Sequence, residues 1–225
     1  DWSFFFFKQK TAYEIRNCDW SSDVCSSDLG RIGLLGGSFN PAHIGHLHLS
    51  KIALKRLGLD AIWWLVSPQN PLKSSAGMAP LRDRMASARN VARHPAIYVT
   101  DLEKAFGSTF TAITLKRMQR RFPRAQFVWL MGADNMLQIP LWKRWDQIFD
   151  TVPVAVVARP AYSWNSMHGK AATRFRSARV RDRQASKLAG RSAPAWIYIA
   201  SRLEPTSATD IRAGKQTPFG GPKVY

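Results

Sequence analysis

Residues 36–46 read Gly-Gly-Ser-Phe-Asn-Pro-Ala-His-Ile-Gly-His and follow the apolar run Ile32-Gly33-Leu34-Leu35. A buried strand passes here through a glycine turn into a helix. Asn40 is placed to cap that helix, and Pro41 fits its first position, where no amide donor is needed. His43 and His46 lie three residues apart, so on a helix they share one face near its N-terminus. Free backbone amides, a positive helix end and two imidazoles make a site for a polyphosphate. Gly36, Gly37, Ser38 and Phe39 form its turn. The spacing excludes a P-loop, because no Gly-Lys-Ser/Thr follows, and the glycines do not fit the dinucleotide pattern G-x-G-x-x-G.

Two further segments carry chemistry. In Thr206-Ser207-Ala208-Thr209-Asp210-Ile211-Arg212, hydroxyls precede a short helix. They can cap it and leave amides for phosphate oxygens, while Arg212 can grip a phosphate with two hydrogen bonds. Ser207 and Thr209 are therefore candidate nucleotide contacts. In Gly132-Ala133-Asp134-Asn135, the small residues at a strand end let a nucleotide approach the backbone. Asp134 can accept from ribose hydroxyls. Trp142, a few residues on, offers a flat face to an aromatic ring, and Lys143 beside it favours a ring that carries a carboxylate. Trp145 is expected to pack within its helix.

The form G-G-S-F-N-P-x-H-x-G-H resembles the signature of the nucleotidyltransferase superfamily that moves AMP or CMP onto a phosphate. Ser207, Thr209 and Arg212 resemble that superfamily's late S-x-T-x-x-R element, which closes over the triphosphate. With Asn70-Pro71-Leu72-Lys73, Thr109–Leu115 and Val152–Pro160 added, residues 30–212 resemble the bacterial nicotinate-nucleotide adenylyltransferases. Ile113 stands where that family usually has an acid, Pro140 where it often has a histidine, and Ala208 where serine is common.

The resemblance implies adenylyl transfer from ATP to nicotinate mononucleotide, giving nicotinate adenine dinucleotide and pyrophosphate, a step of NAD biosynthesis. It implies that His46 binds the α-phosphate while His43 and Arg212 hold the β- and γ-phosphates. Lys73, Thr111, Trp142 and Lys143 would serve the pyridine mononucleotide. Mg²⁺ would come with ATP, bridging phosphate oxygens largely through water, so no protein metal ligands are expected. Nicotinamide mononucleotide and phosphopantetheine are the alternative acceptors, and the Trp142 element argues against the second.

Strands and helices must position these groups, and the chain alternates them. Strands are expected at Ile32–Leu35, Ala61–Val66, Ile97–Thr100, Gln126–Met131, Val152–Ala158 and Trp196–Ala200. Helices are expected at Pro41–Leu57, 80–93, 111–121 and 142–149. This order predicts a single-domain α/β fold, a doubly wound parallel sheet of Rossmann-like type. Ligands should bind at the carboxyl ends of its strands.

Residues 1–29 show no sustained period of 3.6 or 2 and resemble translated sequencing adapter, so the segment is expected to lie outside the fold. Cys18 and Cys25 both fall in it, and their spacing fits no zinc motif. Residues 30–213 are read as the adenylyltransferase domain. Residues 214–225, rich in glycine and proline, make an atypical tail that cannot easily continue a helix.

Hydrophobic residues make up 45% of the 225 positions, enough for one α/β domain with a full core. No apolar run approaches the roughly 20 residues of a membrane span, and no signal peptide is recognisable, so a cytoplasmic protein with no membrane partner is expected. The net charge of +18 points to polyanionic ligands, either nucleotides or nucleic acid. Eight Lys and Arg residues lie between Lys170 and Arg191 against one acid, Asp182. They are read as a solvated face, because no nucleic-acid motif accompanies them. A nucleic-acid-binding protein is the lower-ranked reading, and the oligomeric state, a homo-oligomer included, stays open.

Overall fold

The computed structural model describes residues 30–68, 77–159, 163–201 and 206–220. Residues 1–29, Asn70–Lys73 of the resemblance and the last five residues lie outside these. Seven strands form one sheet in the order β3-β2-β1-β4-β5-β7-β6, and every pairing is parallel. They are β1 (Arg31–Gly37), β2 (Ala61–Val66), β3 (Ile97–Thr100), β4 (Gln126–Gly132), β5 (Val154–Val157), β6 (Arg179–Val180) and β7 (Trp196–Ile199). This is the doubly wound sheet that the alternating pattern predicts.

Parallel strands buried on both faces should read as unbroken apolar runs whose side chains alternate between two cores. They do. Ile62, Trp64 and Val66 of β2 join one buried cluster with Val128 and Leu130 of β4. Trp63 and Leu65 join the opposite cluster with Phe127, Trp129 and Met131. The first cluster is covered by α1 (Ile44–Leu57) and α2 (Leu81–Val91). The second is covered largely by α4 (Thr111–Arg121), α5 (Ala133–Gln138) and α6 (Trp145–Thr151), the short α3 (Leu102–Ala105) lying between β3 and α4.

The chain runs from β1 to β2 on one side, and β4 joins β1 from the other. The crevice at the carboxyl ends of β1 and β4 is thus a topological switch point, where doubly wound sheets bind ligands. Both Gly36-Gly37 and Gly132 end their strands there.

Several boundaries differ from the expectation. The first helix begins at Ile44, not Pro41. The helix expected over 142–149 begins at Trp145, after a 3₁₀ turn (Ile139–Leu141), and Arg144 before it adopts a left-handed φ of 56°. The strand expected at Val152–Ala158 is shortened to Val154–Val157, because Val152 closes α6. Between β5 and β7 the chain forms α7 (Ser163–His168), α8 (Lys170–Arg174), 3₁₀ turns and the two-residue edge strand β6. Arg179, Arg181, Arg183 and Lys187 are exposed on that stretch, and Asp182 pairs with Arg56 at 2.7 Å, as a solvated face should.

Candidate active site

Asn40 was expected to cap the first helix, but it is used elsewhere. Its Nδ2 donates to the Gly77 carbonyl at 3.0 Å, and its Oδ1 accepts from the Ala79 amide at 3.3 Å. The cap is His43, with extended backbone at φ −151°. Its Nδ1 accepts from the Gly45 amide at 3.2 Å, and His46 Nδ1 accepts in return from the His43 amide at 3.2 Å. Two imidazoles thus form a reciprocal capping box, a role usually taken by Ser or Thr with Glu. A neutral imidazole whose Nδ1 accepts carries its proton on Nε2. Each of the pair then carries its proton on Nε2, at the positive end of a 14-residue helix, with His43 buried.

The free amides expected at this helix start are not what the structure contains. The Ile44 amide donates to the Pro218 carbonyl at 2.7 Å, and the His46 amide to the His43 carbonyl at 2.9 Å. At the helix start itself, donor character comes from side chains. The expected tail is correspondingly irregular: α9 (Ala208–Arg212) stops at Ala213, and Gly214 turns with φ 74°.

Two of the three glycines in the first motif have a packing reason. A Cβ on Gly36 would lie 2.3 Å from the Trp129 ring, so core packing requires glycine there. Gly37 faces only ordinary contact with Phe39 at 3.4 Å. Gly45 is glycine because a Cβ would come within 2.9 Å of the His43 ring and 3.2 Å of the Thr206 carbonyl. Phe39 adopts φ 47°, which is rare for a bulky residue. Its ring is buried, stacks on Trp64 at 5.1 Å and lies 4.8 Å from His46. The turn's shape is thereby anchored in the core.

The last motif folds back onto the first. Arg212 Nη1 donates to the Asn40 carbonyl at 2.6 Å, across 172 residues of sequence, and its Nη2 reaches Thr209 Oγ1 at 3.4 Å. Ser207 caps α9: its Oγ accepts from the Asp210 amide at 3.1 Å and donates to the Asp210 carboxylate at 2.6 Å. His43, His46, Ser207, Thr209 and Arg212 therefore gather around one end of β1. Asp134 lies in the first turn of α5, beside the end of β4, and faces Arg159 at 3.6 Å.

Thr111, Trp142 and Lys143 form a second group. Thr111 opens α4, and Lys143 Nζ sits 4.7 Å above the ring of the preceding Phe110. Trp142 is half-buried against the second core layer and closes the 3₁₀ turn, so it is not helical. Trp145 packs edge-on to Phe149 and Phe175, as expected. Lys73 lies outside the described residues. Among the described residues, no group of three or more His, Cys, Asp or Glu is arranged to hold a metal, and no helix is long and apolar enough to cross a membrane.

Two buried ionisable groups escape sequence reasoning. Arg84 is 2% exposed on α2, and burial lowers its guanidinium from the ordinary value. The available signal is its place at the head of the apolar stripe Arg84, Ala88, Val91. Glu103 of α3 is 4% exposed, and burial raises its carboxyl to about 7 against a hydrogen bond from the Ser67 side chain. Nothing in the local pattern of residues 101–105 marks it as buried.

A switch-point crevice with a strand–turn–helix histidine pair and a late Arg-bearing helix is a candidate nucleotide site, and the comparisons place the chain among the nucleotidyltransferases. The cytidylyltransferase-like family model matches residues 34–214. Within that class the chain belongs to the nicotinate-nucleotide adenylyltransferase family. It is 50% identical over 182 residues to a protein of Parvibaculum lavamentivorans, covering 81% of this chain and 90% of that one. It is 50% identical to one of Cereibacter sphaeroides (81% and 96% covered) and 48% identical to one of Methylorubrum extorquens (81% and 98%). All three bear the name "Probable nicotinate-nucleotide adenylyltransferase". The fold matches that of Plasmodium falciparum nicotinic acid mononucleotide adenylyltransferase complexed with NaAD. The TM-score is 0.61 at 18% identity, with 84% of this chain and 86% of that one covered.

Proposed function

We propose that this protein transfers AMP from ATP to nicotinate mononucleotide, giving nicotinate adenine dinucleotide and pyrophosphate, a step of NAD biosynthesis. The observation that carries the reading is the seating of Arg212 on Asn40, beside the His43–His46 pair. It supports one cationic, donor-rich cradle for a triphosphate, assembled from the two ends of the domain.

The acceptor's phosphate oxygen is already ionised, so it attacks the α-phosphorus without a general base. A new P–O bond forms as the α–β bridge bond breaks, and pyrophosphate leaves. Catalysis is positioning plus charge stabilisation. His46 would donate from Nε2 to the α-phosphate as negative charge builds. His43 and Arg212 would hold the β- and γ-phosphates, with Ser207 and Thr209 flanking them. Gly37, Ser38 and Phe39 would offer backbone contacts, and Asp134 would meet the ribose. Gly36 serves the site through the core instead. Trp142 would stack on the pyridine ring, with Thr111 and Lys143 beside it, and Lys143 favours a carboxylate over an amide. Mg²⁺ would arrive on the nucleotide, held by phosphate oxygens and water.

Pyrophosphate release with ATP and each candidate acceptor tests this. Turnover should be fastest with nicotinate mononucleotide. A preference for nicotinamide mononucleotide would overturn the acceptor and leave the transfer chemistry standing.

A further inference from the structure

Arg84 is a buried cation with no role in the reaction just described. Taking a charge out of water is costly unless its hydrogen-bonding capacity is met. Here four of the five guanidinium N–H groups meet backbone carbonyls, and among the described residues none meets a carboxylate. Nε donates to Ala79 at 2.9 Å, Nη1 to Ser38 at 2.7 Å and to Ser67 at 2.6 Å, and Nη2 to Pro68 at 2.9 Å. These carbonyls belong to three separate stretches: the turn after β1, the start of the loop after β2, and the approach to α2. Asn40 makes a second tie between the first and third, through Gly77 and Ala79. The Ser67 amide adds another, donating to the Gly37 carbonyl at 2.9 Å.

We infer that Arg84 is a positioning residue for adenylyl transfer, a clamp that sets the Ser38–Asn40 turn against the segments at 67–68 and 77–79 so that the nucleotide cradle has one geometry. The inference rests on the proposed reaction, because the Ser38–Asn40 turn carries the backbone contacts and the seat of Arg212. Lysine cannot substitute fully. It presents a point charge with three donors, where the planar fork reaches four carbonyls at once. Misplacement of reacting groups by an ångström costs about 10²-fold in rate, so loosening the clamp should appear in kcat more than in the KM for ATP.

The test compares Arg84→Met and Arg84→Lys with the parent, by steady-state kinetics well below each variant's Tm and by hydrogen exchange. In Arg84→Met, kcat should fall by about 10²-fold while the KM for ATP changes by less than about threefold, and Arg84→Lys should recover about tenfold of the loss. Exchange should quicken in peptides covering 37–40 and 77–80 and stay unchanged in β4. A folded Arg84→Met within about threefold of the parent kcat, or exchange that rises uniformly, overturns the clamp. Should Arg84→Met fail to fold, Arg84→Lys decides: parental exchange in both peptides overturns it, and local quickening with lowered kcat supports it. A parent that does not turn over retires the proposed reaction, and the exchange pattern still decides whether Arg84 holds the two segments together.

Discussion

The two histidines of the first motif do structural work with Nδ1, and the chemical work proposed for them falls to Nε2. Nδ1 of each holds a backbone amide at the helix start, and Nε2 of each is left with the proton. The roles can be separated by substitution. Asparagine places an amide oxygen near the position of Nδ1 but nothing near Nε2. His46→Asn should keep the acceptor for the His43 amide and so stay within about 1 kcal/mol of the parent in stability. Its turnover should fall by about 10²–10³-fold, the usual loss for one preorganised donor. Chemical denaturation and pyrophosphate release on the same preparation check both halves. Turnover near the parent's would remove His46 from the chemistry.

Element geometry explains why a helix that opens the site contains a glycine. Gly45 lies in the first turn of α1, where an exposed Gly→Ala change would stabilise by about 0.5–1 kcal/mol. Here the Cβ would press on the His43 ring and the Thr206 carbonyl. Gly45→Ala should therefore destabilise by about 1–3 kcal/mol, the cost of overpacking. Because it pushes apart the first and last motifs, it should also lower kcat/KM for ATP by more than tenfold, since both motifs are proposed to hold the triphosphate. Thermal unfolding and steady-state kinetics report the two effects, and a more stable, fully active variant would show that the contact between motifs is unimportant.

Stability of the whole molecule carries the signature of one buried acid. Glu103 has a folded-state value of about 7 against an ordinary 4.5, raised by burial, and among the described residues its Oε2 is buried without a hydrogen-bond partner. The native state therefore binds a proton that the unfolded chain has released. Stability from this group is fully present below about pH 4.5 and is lost as pH rises to about 7. Glu103→Gln removes the group. The variant should be more stable than the parent at pH 8, by an amount on the order of 2–3 kcal/mol, and the gap should close towards pH 4.5. Denaturation of both proteins across that range measures it, and a gap independent of pH would mean that Glu103 does not titrate on folding.

Burial pattern and motif spacing were legible in the residues alone. The apolar run at Ala61–Val66 and the nearly unbroken one at Gln126–Met131, each flanked by a helical pattern, point to a parallel sheet, because burial on both faces suits them. The histidine pair His43 and His46 and the late element Ser207, Thr209 and Arg212 are legible in sequence as the proposed phosphate-binding groups. Tertiary structure alone decided which atoms those residues spend on holding each other. Asn40 left the helix cap because residues 77–79, distant in sequence, compete for its amide. The helix amides are closed by His43 and by Pro218 from the far end of the domain. Arg84 and Glu103 looked like surface charges because a charge's burial depends on which loops converge on it. Such convergence is long-range and leaves no period in the sequence.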